Sequence, residues 1–168
     1  MEWPATSRMR SLGSILDLPQ DAEAKFDEPN MCMTLAKNLT HIMDNFIAKG
    51  NMEVLAQKDN VADIGGSKPH VMFGTSPCLT RCRSGSRGYY SIKKQRFLSI
   101  NDMCRLQGVP AKHIAGWRRA VSTRQMGQVI GNAIPTCLIE RVLFAILASM
   151  GRPVEDRWGN YATKVPLH

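Results

Sequence analysis

The sequence predicts an α+β fold: a small mixed region of short strands and helices, followed by a long C-terminal helix. Three observations carry this. Residues 34–49 hold an apolar stripe of helical period. Residues 51–98 hold short β-rich runs separated by glycine and polar turns. From residue 99 three punctuated helical segments follow, the last of them running from Ala133 to Met150.

Residues 1–30 carry Pro4, Pro19, Pro29 and several acids. They read as an irregular lead-in with one helical turn near Leu12–Leu16. In residues 34–49, Leu35, Leu39, Ile42, Met43, Phe46 and Ile47 form one apolar face. Thr34 is the expected N-cap and Gly50 the expected stop. Met52–Leu55, Val61–Ile64 and His70–Phe73 are candidate strands, broken by Gly65-Gly66-Ser67. Residues 84–88 read as a flexible basic loop. Tyr89–Ile92 and Gln95–Leu98 then pair as a hairpin across Lys93-Lys94.

Ser99 and Asp102 form a capping box ahead of Met103 and Leu106, and Gly108 and Pro110 end that helix. A spacer with Trp117, Arg118 and Arg119 leads to Ser122, which caps a helix through Ile130. Gly131-Asn132 is expected just before the final helix, with backbone N–H groups facing outward. In that helix Ile134, Leu138, Val142, Ile146 and Met150 repeat every four residues, beside Ile139, Leu143 and Leu147. That is more than the stripe one neighbouring helix covers. Residues 151–168 form a tail without pattern.

A length of 168 residues and 43% hydrophobic content allow one domain with a core. No apolar leader opens the sequence and no eighteen uncharged apolar residues run together. Ile130–Met150 is interrupted by Asn132, Glu140 and Arg141, so it reads as a buried helix and not a membrane span. The five cysteines are odd in number and scattered, which fits reduced thiols inside a cell. Cys78 and Cys82 are spaced C-x3-C, but no second pair completes a zinc site, and no metal is expected.

Charge is unevenly placed. Residues 1–70 carry 7 Lys/Arg against 10 Asp/Glu; residues 71–124 carry 11 against 1; residues 125–168 carry 4 against 3. A net +10 stretch with only Asp102 opposing it points to a polyanion partner. Thr80, Arg81, Arg83 and Arg87 lie there beside Tyr89 and Tyr90. Arginine pairs with phosphates or reads guanine bidentately. The bland alternative is a charged hairpin with Tyr89 packed inward.

Two motifs define a resemblance. Arg96-Phe97-Leu98-Ser99-Ile100-Asn101-Asp102-Met103-Cys104-Arg105-Leu106-Gln107-Gly108-Val109-Pro110 and Gly127-Gln128-Val129-Ile130-Gly131-Asn132-Ala133-Ile134-Pro135 together resemble the last two motifs of the DNA cytosine-5 methyltransferases. Pro77–Arg83 and Gly88–Tyr90 resemble the end of that family's target recognition region, and Ser11–Leu16 its start. Two departures stand out. Val109 replaces the usual aromatic before the proline, and Val129 stands where glutamine usually lies two residues before the glycine.

The resemblance implies a division into lead-in (1–30), target recognition region (31–98), C-terminal motifs with docking helix (99–150) and tail (151–168). It implies double-stranded DNA as partner, contacted by Thr80, Arg81, Arg83, Arg87 and Arg96, with Arg96 also organising the recognition region. It implies S-adenosylmethionine as cofactor, one wall of its pocket formed by Gly131, Asn132 and Ala133. Family chemistry adds a thiolate to C6 of a flipped cytosine and methylates C5. The family's F-x-G-x-G, P-C-Q, E-N-V and Q-x-R-x-R motifs do not occur in these residues. The expectation is therefore a C-terminal portion that lacks the nucleophile and docks, through its last helix, on a Rossmann-like catalytic portion. Pro77-Cys78 is followed by Leu79 and lies within the recognition region, so no catalytic residue is assigned. The alternative is a non-enzymatic DNA-binding module or partner-binding fragment. Location is expected to be intracellular: nucleus in a eukaryote, cytoplasm in a bacterium.

Overall fold

The structure is a computed structural model that describes residues 11–16, 31–109, 113, 117 and 120–151. Pro110, Arg118, Arg119, most of the lead-in and the tail beyond residue 151 lie outside the described residues.

Four short antiparallel strands form the centre: β1 Asn60–Asp63, β2 His70–Phe73, β3 Tyr89–Ser91 and β4 Arg96–Phe97, in the order β2-β1-β3-β4. The register pairs Asp63 with Tyr89 and Tyr90 with Phe97. Side chains alternate across a strand, so neighbours serve opposite faces. Ala62 and Ile64 face Ile42 on one side, with Leu35, Leu39, Phe46, Tyr90 and Phe97 around them. Val61 and Tyr89 face the other, with Leu79, Leu98, Ile100, Met103, Met126 and Ile130. Both faces are covered, so all four residues of β1 are buried.

Helix α1 (Leu12–Leu16) packs on the second face through Leu12 and Leu16. Helix α2 (Met33–Ala48) covers the first. Its stripe buries Ile42, while Ile47 is exposed. The N-cap is Cys32, without a side-chain bond, in place of Thr34. Asn38 fixes α2 to the sheet by donating from Nδ2 to the carbonyls of Ile64 and Gly66 at 2.7 and 2.9 Å. The helix ends with Gly50 N–H on the Ile47 carbonyl and Asn51 N–H on the Phe46 carbonyl, both 2.9 Å, the paired bonds of a Schellman motif.

Met52–Gln57 is a helix, α3, and not the expected strand. A short apolar run has no period to separate the two states. Here Leu55 is fully buried as a helical residue. Arg81–Gly85 is also helical, α4, and its last two residues fall in the stretch 84–88 that reads as a basic loop. The hairpin across Lys93-Lys94 forms as expected, with Asn60 under its turn. Asn60 Oδ1 accepts from the Ile92 and Lys93 amides at 2.9 and 3.3 Å, and Nδ2 donates to the Leu55 carbonyl at 2.7 Å.

Helix α5 (Ile100–Leu106) carries the capping box. Ser99 Oγ accepts from Asp102 N–H at 3.1 Å, and Asp102 Oδ2 accepts from Ser99 N–H at 2.8 Å. The fully buried Asp102 carboxylate also pairs with Arg96 and, at 3.4 Å, with Arg105. Arg96 reaches on to the Leu16 carbonyl at 3.2 Å. One carboxylate thus ties α1, β4 and α5. Gly108 takes φ +73°, with Val109 N–H on the Cys104 carbonyl at 2.8 Å. That left-handed stop is the reason for a glycine after Gln107.

Helix α6 (Thr123–Asn132) starts at Ser122, which forms a second capping box with Gln125. Helix α7 runs Thr136–Ser149, shorter than the expected 133–150, because Ala133 and Pro135 are extended. None of its residues is buried, against the sequence expectation of a buried helix. Ile134, Leu138, Val142, Leu143 and Ile146 all lie exposed.

By length and composition alone, Thr123–Ser149 is apolar enough to cross a membrane. It is two helices, however, and the first buries Met126, Gly127 and Ile130 in the core. The 14 residues of the second reach about 21 Å, short of a hydrocarbon core of about 30 Å.

Removing the Asp102 carboxylate leaves two arginines and a helix cap without their partner. Asp102→Ala is expected to destabilise by about 3–5 kcal/mol, since breaking a buried pair strands the remaining charge. Ser99→Ala removes the cap and one hydrogen bond to the carboxylate but leaves both ion pairs, an expected loss of about 1–2 kcal/mol. Urea denaturation of both variants checks the ordering; equal losses would mean that Asp102 acts as a cap alone.

Candidate DNA interface and donor-pocket wall

The segment Thr80–Gly88 is held from several sides. Tyr89 is fully buried and points its hydroxyl back at the start of α4. The hydroxyl donates to the Cys78 carbonyl at 2.7 Å and accepts from Thr80 N–H at 2.8 Å. Tyr89 therefore packs inward, and its role is to fix Thr80, the N-cap residue of α4. At the other end of α4, Gly88 N–H bonds the Arg83 carbonyl at 2.8 Å, and the Gly88 carbonyl accepts from Ile64 and Gly65 at 2.8 and 3.1 Å.

Between these ends Arg87 takes φ +57°. It occupies the position of a left-handed helix stop, where glycine is the default. A non-glycine residue there costs roughly 1–2 kcal/mol. Arg81 is exposed in the first turn of α4.

The basic stretch is less free in space than along the chain. Arg83 pairs with Asp63 at 2.9 Å and Lys93 with Asp59 at 2.8 Å. Arg96 and Arg105 both pair with Asp102. Asp59 and Asp63 come from the acidic first part of the sequence, so linear counting misses them. The expected DNA contacts thus separate. Arg81 is exposed at the first turn of α4, whereas Arg83 and Arg96 are engaged with buried carboxylates.

Gly131, Asn132 and Ala133 lie at the C-terminal end of α6, not at a helix start. The expected outward N–H groups of a helix N-terminus are therefore absent at this place. What requires Gly131 is α4. A Cβ there would lie 2.4 Å from the Thr80 carbonyl carbon and oxygen. A Cβ on Gly127 would lie 2.2 Å from the Ser84 carbonyl oxygen. Two glycines one turn apart let α6 sit directly on the α4 backbone. Asn132 and Ala133, beyond this seam, are exposed. The Ala133 and Ile130 carbonyls accept from Gln107 Nε2 at 3.3 and 3.1 Å, and the Gln107 carbonyl accepts from Thr136 N–H at 2.8 Å. Gln107 thus joins the end of α5 to the α6–α7 turn, a role its motif position does not reveal.

Cys78 is exposed, and among the described residues no three His, Cys, Asp or Glu side chains gather as a metal would need. The face of Gly131 is filled by Thr80, while Asn132 and Ala133 are exposed.

Alanine in place of a helical glycine normally stabilises by about 1 kcal/mol. Gly131→Ala is expected to reverse that sign, with a loss of about 1–3 kcal/mol from overpacking against Thr80. Thermal or urea unfolding checks it; a stabilised Gly131→Ala would mean that α4 does not rest on α6.

No curated protein and no solved structure matches this chain. A family model described as C-5 cytosine-specific DNA methylase matches residues 4–148. That match spans the sheet, α4 and both motifs around Asp102 and Gly131. The chain belongs to the C-5 cytosine-specific DNA methylase family.

Proposed function

We propose that these residues place duplex DNA and contribute one wall of the donor pocket for methyl transfer to C5 of cytosine. On this reading the thiol nucleophile, its acid partner and most of the donor pocket come from a catalytic portion outside these residues. The carrying observation is α4. It is short, basic, and seated between the sheet and α6 by Tyr89, the Gly88 carbonyl and the glycine seam. Such a mount presents Arg81 and Arg87 at a fixed place, which phosphate or base-edge contact requires.

S-adenosylmethionine, when bound, supplies the methyl group. Asn132 and Ala133 form the wall that meets it, while Gly131 serves the seam behind. Helix α7 is the docking element: its exposed apolar face is the kind of patch that marks an interface. The catalytic portion is the partner that covers it. As part of an enzyme acting on DNA, the chain works inside the cell.

Arg87 gives a test that separates function from folding. Arg87→Gly keeps the left-handed turn that glycine adopts without strain, so the variant is expected to stay folded, which its melting temperature checks. Binding to mixed-sequence duplex weakens, and the slope of log affinity against log salt falls by about 0.9, one phosphate's worth. Arg81→Gln lowers the slope similarly. The chain alone, given labelled S-adenosylmethionine and duplex, transfers no methyl group. A flat salt dependence in the parent chain contradicts the DNA reading, and methyl incorporation contradicts the division of labour.

A further inference from the structure

We propose that Arg83 is a positioning residue: it latches α4 to the sheet so that Arg81 and Arg87 are presented, and does not itself contact DNA. The proposal rests on the DNA reading above and assigns a role within that site.

Arg83 crosses a gap built for it. Its guanidinium reaches Asp63, at the end of β1, with Nη1 2.9 Å from Oδ2; the Asp63 side chain is 2% exposed. Asp63 Oδ1 meanwhile accepts from Gly65 N–H at 3.2 Å. The path is lined by glycines. A Cβ on Gly66 would lie 2.5 Å from Arg83 Nη2 and 3.1 Å from its Cζ. A Cβ on Gly88 would lie 3.0 Å from Arg83 Cβ. Gly65 and Gly88 approach so closely that a Cβ on Gly65 would lie 2.9 Å from the Gly88 Cα. The arginine therefore lies flat over Gly65-Gly66 and ends on a carboxylate that is out of solvent.

A carboxylate that deep holds its charge only with a partner, and Arg83 is that partner. Taking Arg83 to a phosphate would strand Asp63. Arg81, two residues earlier on α4, bears no such obligation to β1.

Asp63→Asn discriminates. If Arg83 were a phosphate contact, removing the competing negative charge would free it and tighten binding. If Arg83 is a latch, the same change loosens α4 and weakens binding. The experiment measures duplex affinity over a salt series, with melting temperature, for the full chain and for Arg83→Met, Asp63→Asn and the double variant.

The expected result is several-fold weaker binding in both singles, a salt slope equal to the parent's, and a double variant no worse than either single. Tighter binding by Asp63→Asn, or a slope about 0.9 lower in Arg83→Met at unchanged melting temperature, overturns the proposal. Gly66→Ala covers the case in which a variant unfolds, because it crowds the guanidinium without altering charge. Weaker binding at the parent slope supports the latch, and parental affinity overturns it. If the parent shows no salt-dependent binding, the DNA reading fails on its own terms. Melting temperatures then decide the latch: non-additive losses in Arg83→Met and Asp63→Asn sustain it, and additive losses overturn it.

Discussion

The Asp102 carboxylate is fully buried, and donors from three places converge on it: the Ser99 amide and hydroxyl, Arg96 and Arg105. A buried charge is tolerable only when it is paired and hydrogen-bonded. Meeting that demand fixes the geometry around it. Ser99 must start a helix, Arg96 must sit at the adjacent strand, and Arg96 in turn holds the Leu16 carbonyl of α1. The hairpin that follows α4 is thereby bound to the helix that supports α6. The single acid in a stretch of eleven cations is the node of the fold, not a remnant of charge balance.

From that node the basic surface is built outward. Helix α5 supports α6, and α6 meets α4 through Gly127 and Gly131. The sheet meets α4 through the Tyr89 hydroxyl and the Asp63–Arg83 pair. Five residues cannot hold a helix by propensity, since nucleation costs more than one turn returns. Helix α4 exists because its surroundings hold it. That is also why an unfavourable left-handed arginine persists at residue 87.

Local signals were legible in the sequence. The Ser99–Asp102 box, the Ser122 cap, the stops at Gly50 and Gly108 and the hairpin at Lys93-Lys94 each depend on residues within a few positions. What failed depends on distant partners. Met52–Gln57 became a helix because Leu55 is buried in that state. Arg81–Gly85 became one because α6 and the sheet receive it. Gly131 looked like a helix start because glycine and asparagine are common at both ends. Its purpose, the contact with Thr80, lies fifty-one residues away in sequence. The ion pair of Arg83 is equally hidden from a local reading, because its partner Asp63 sits in the acidic part of the chain. The family resemblance was carried by two motifs, and the match over residues 4–148 bears it out.

The account's central claim is that DNA meets this chain along α4. Hydrogen–deuterium exchange, with and without mixed-sequence duplex at low salt, tests it most directly. The account predicts added protection in residues 80–88, with α2 and α7 unchanged. Protection confined to Met33–Ala48 or Thr136–Ser149, with none gained in residues 80–88, would contradict it.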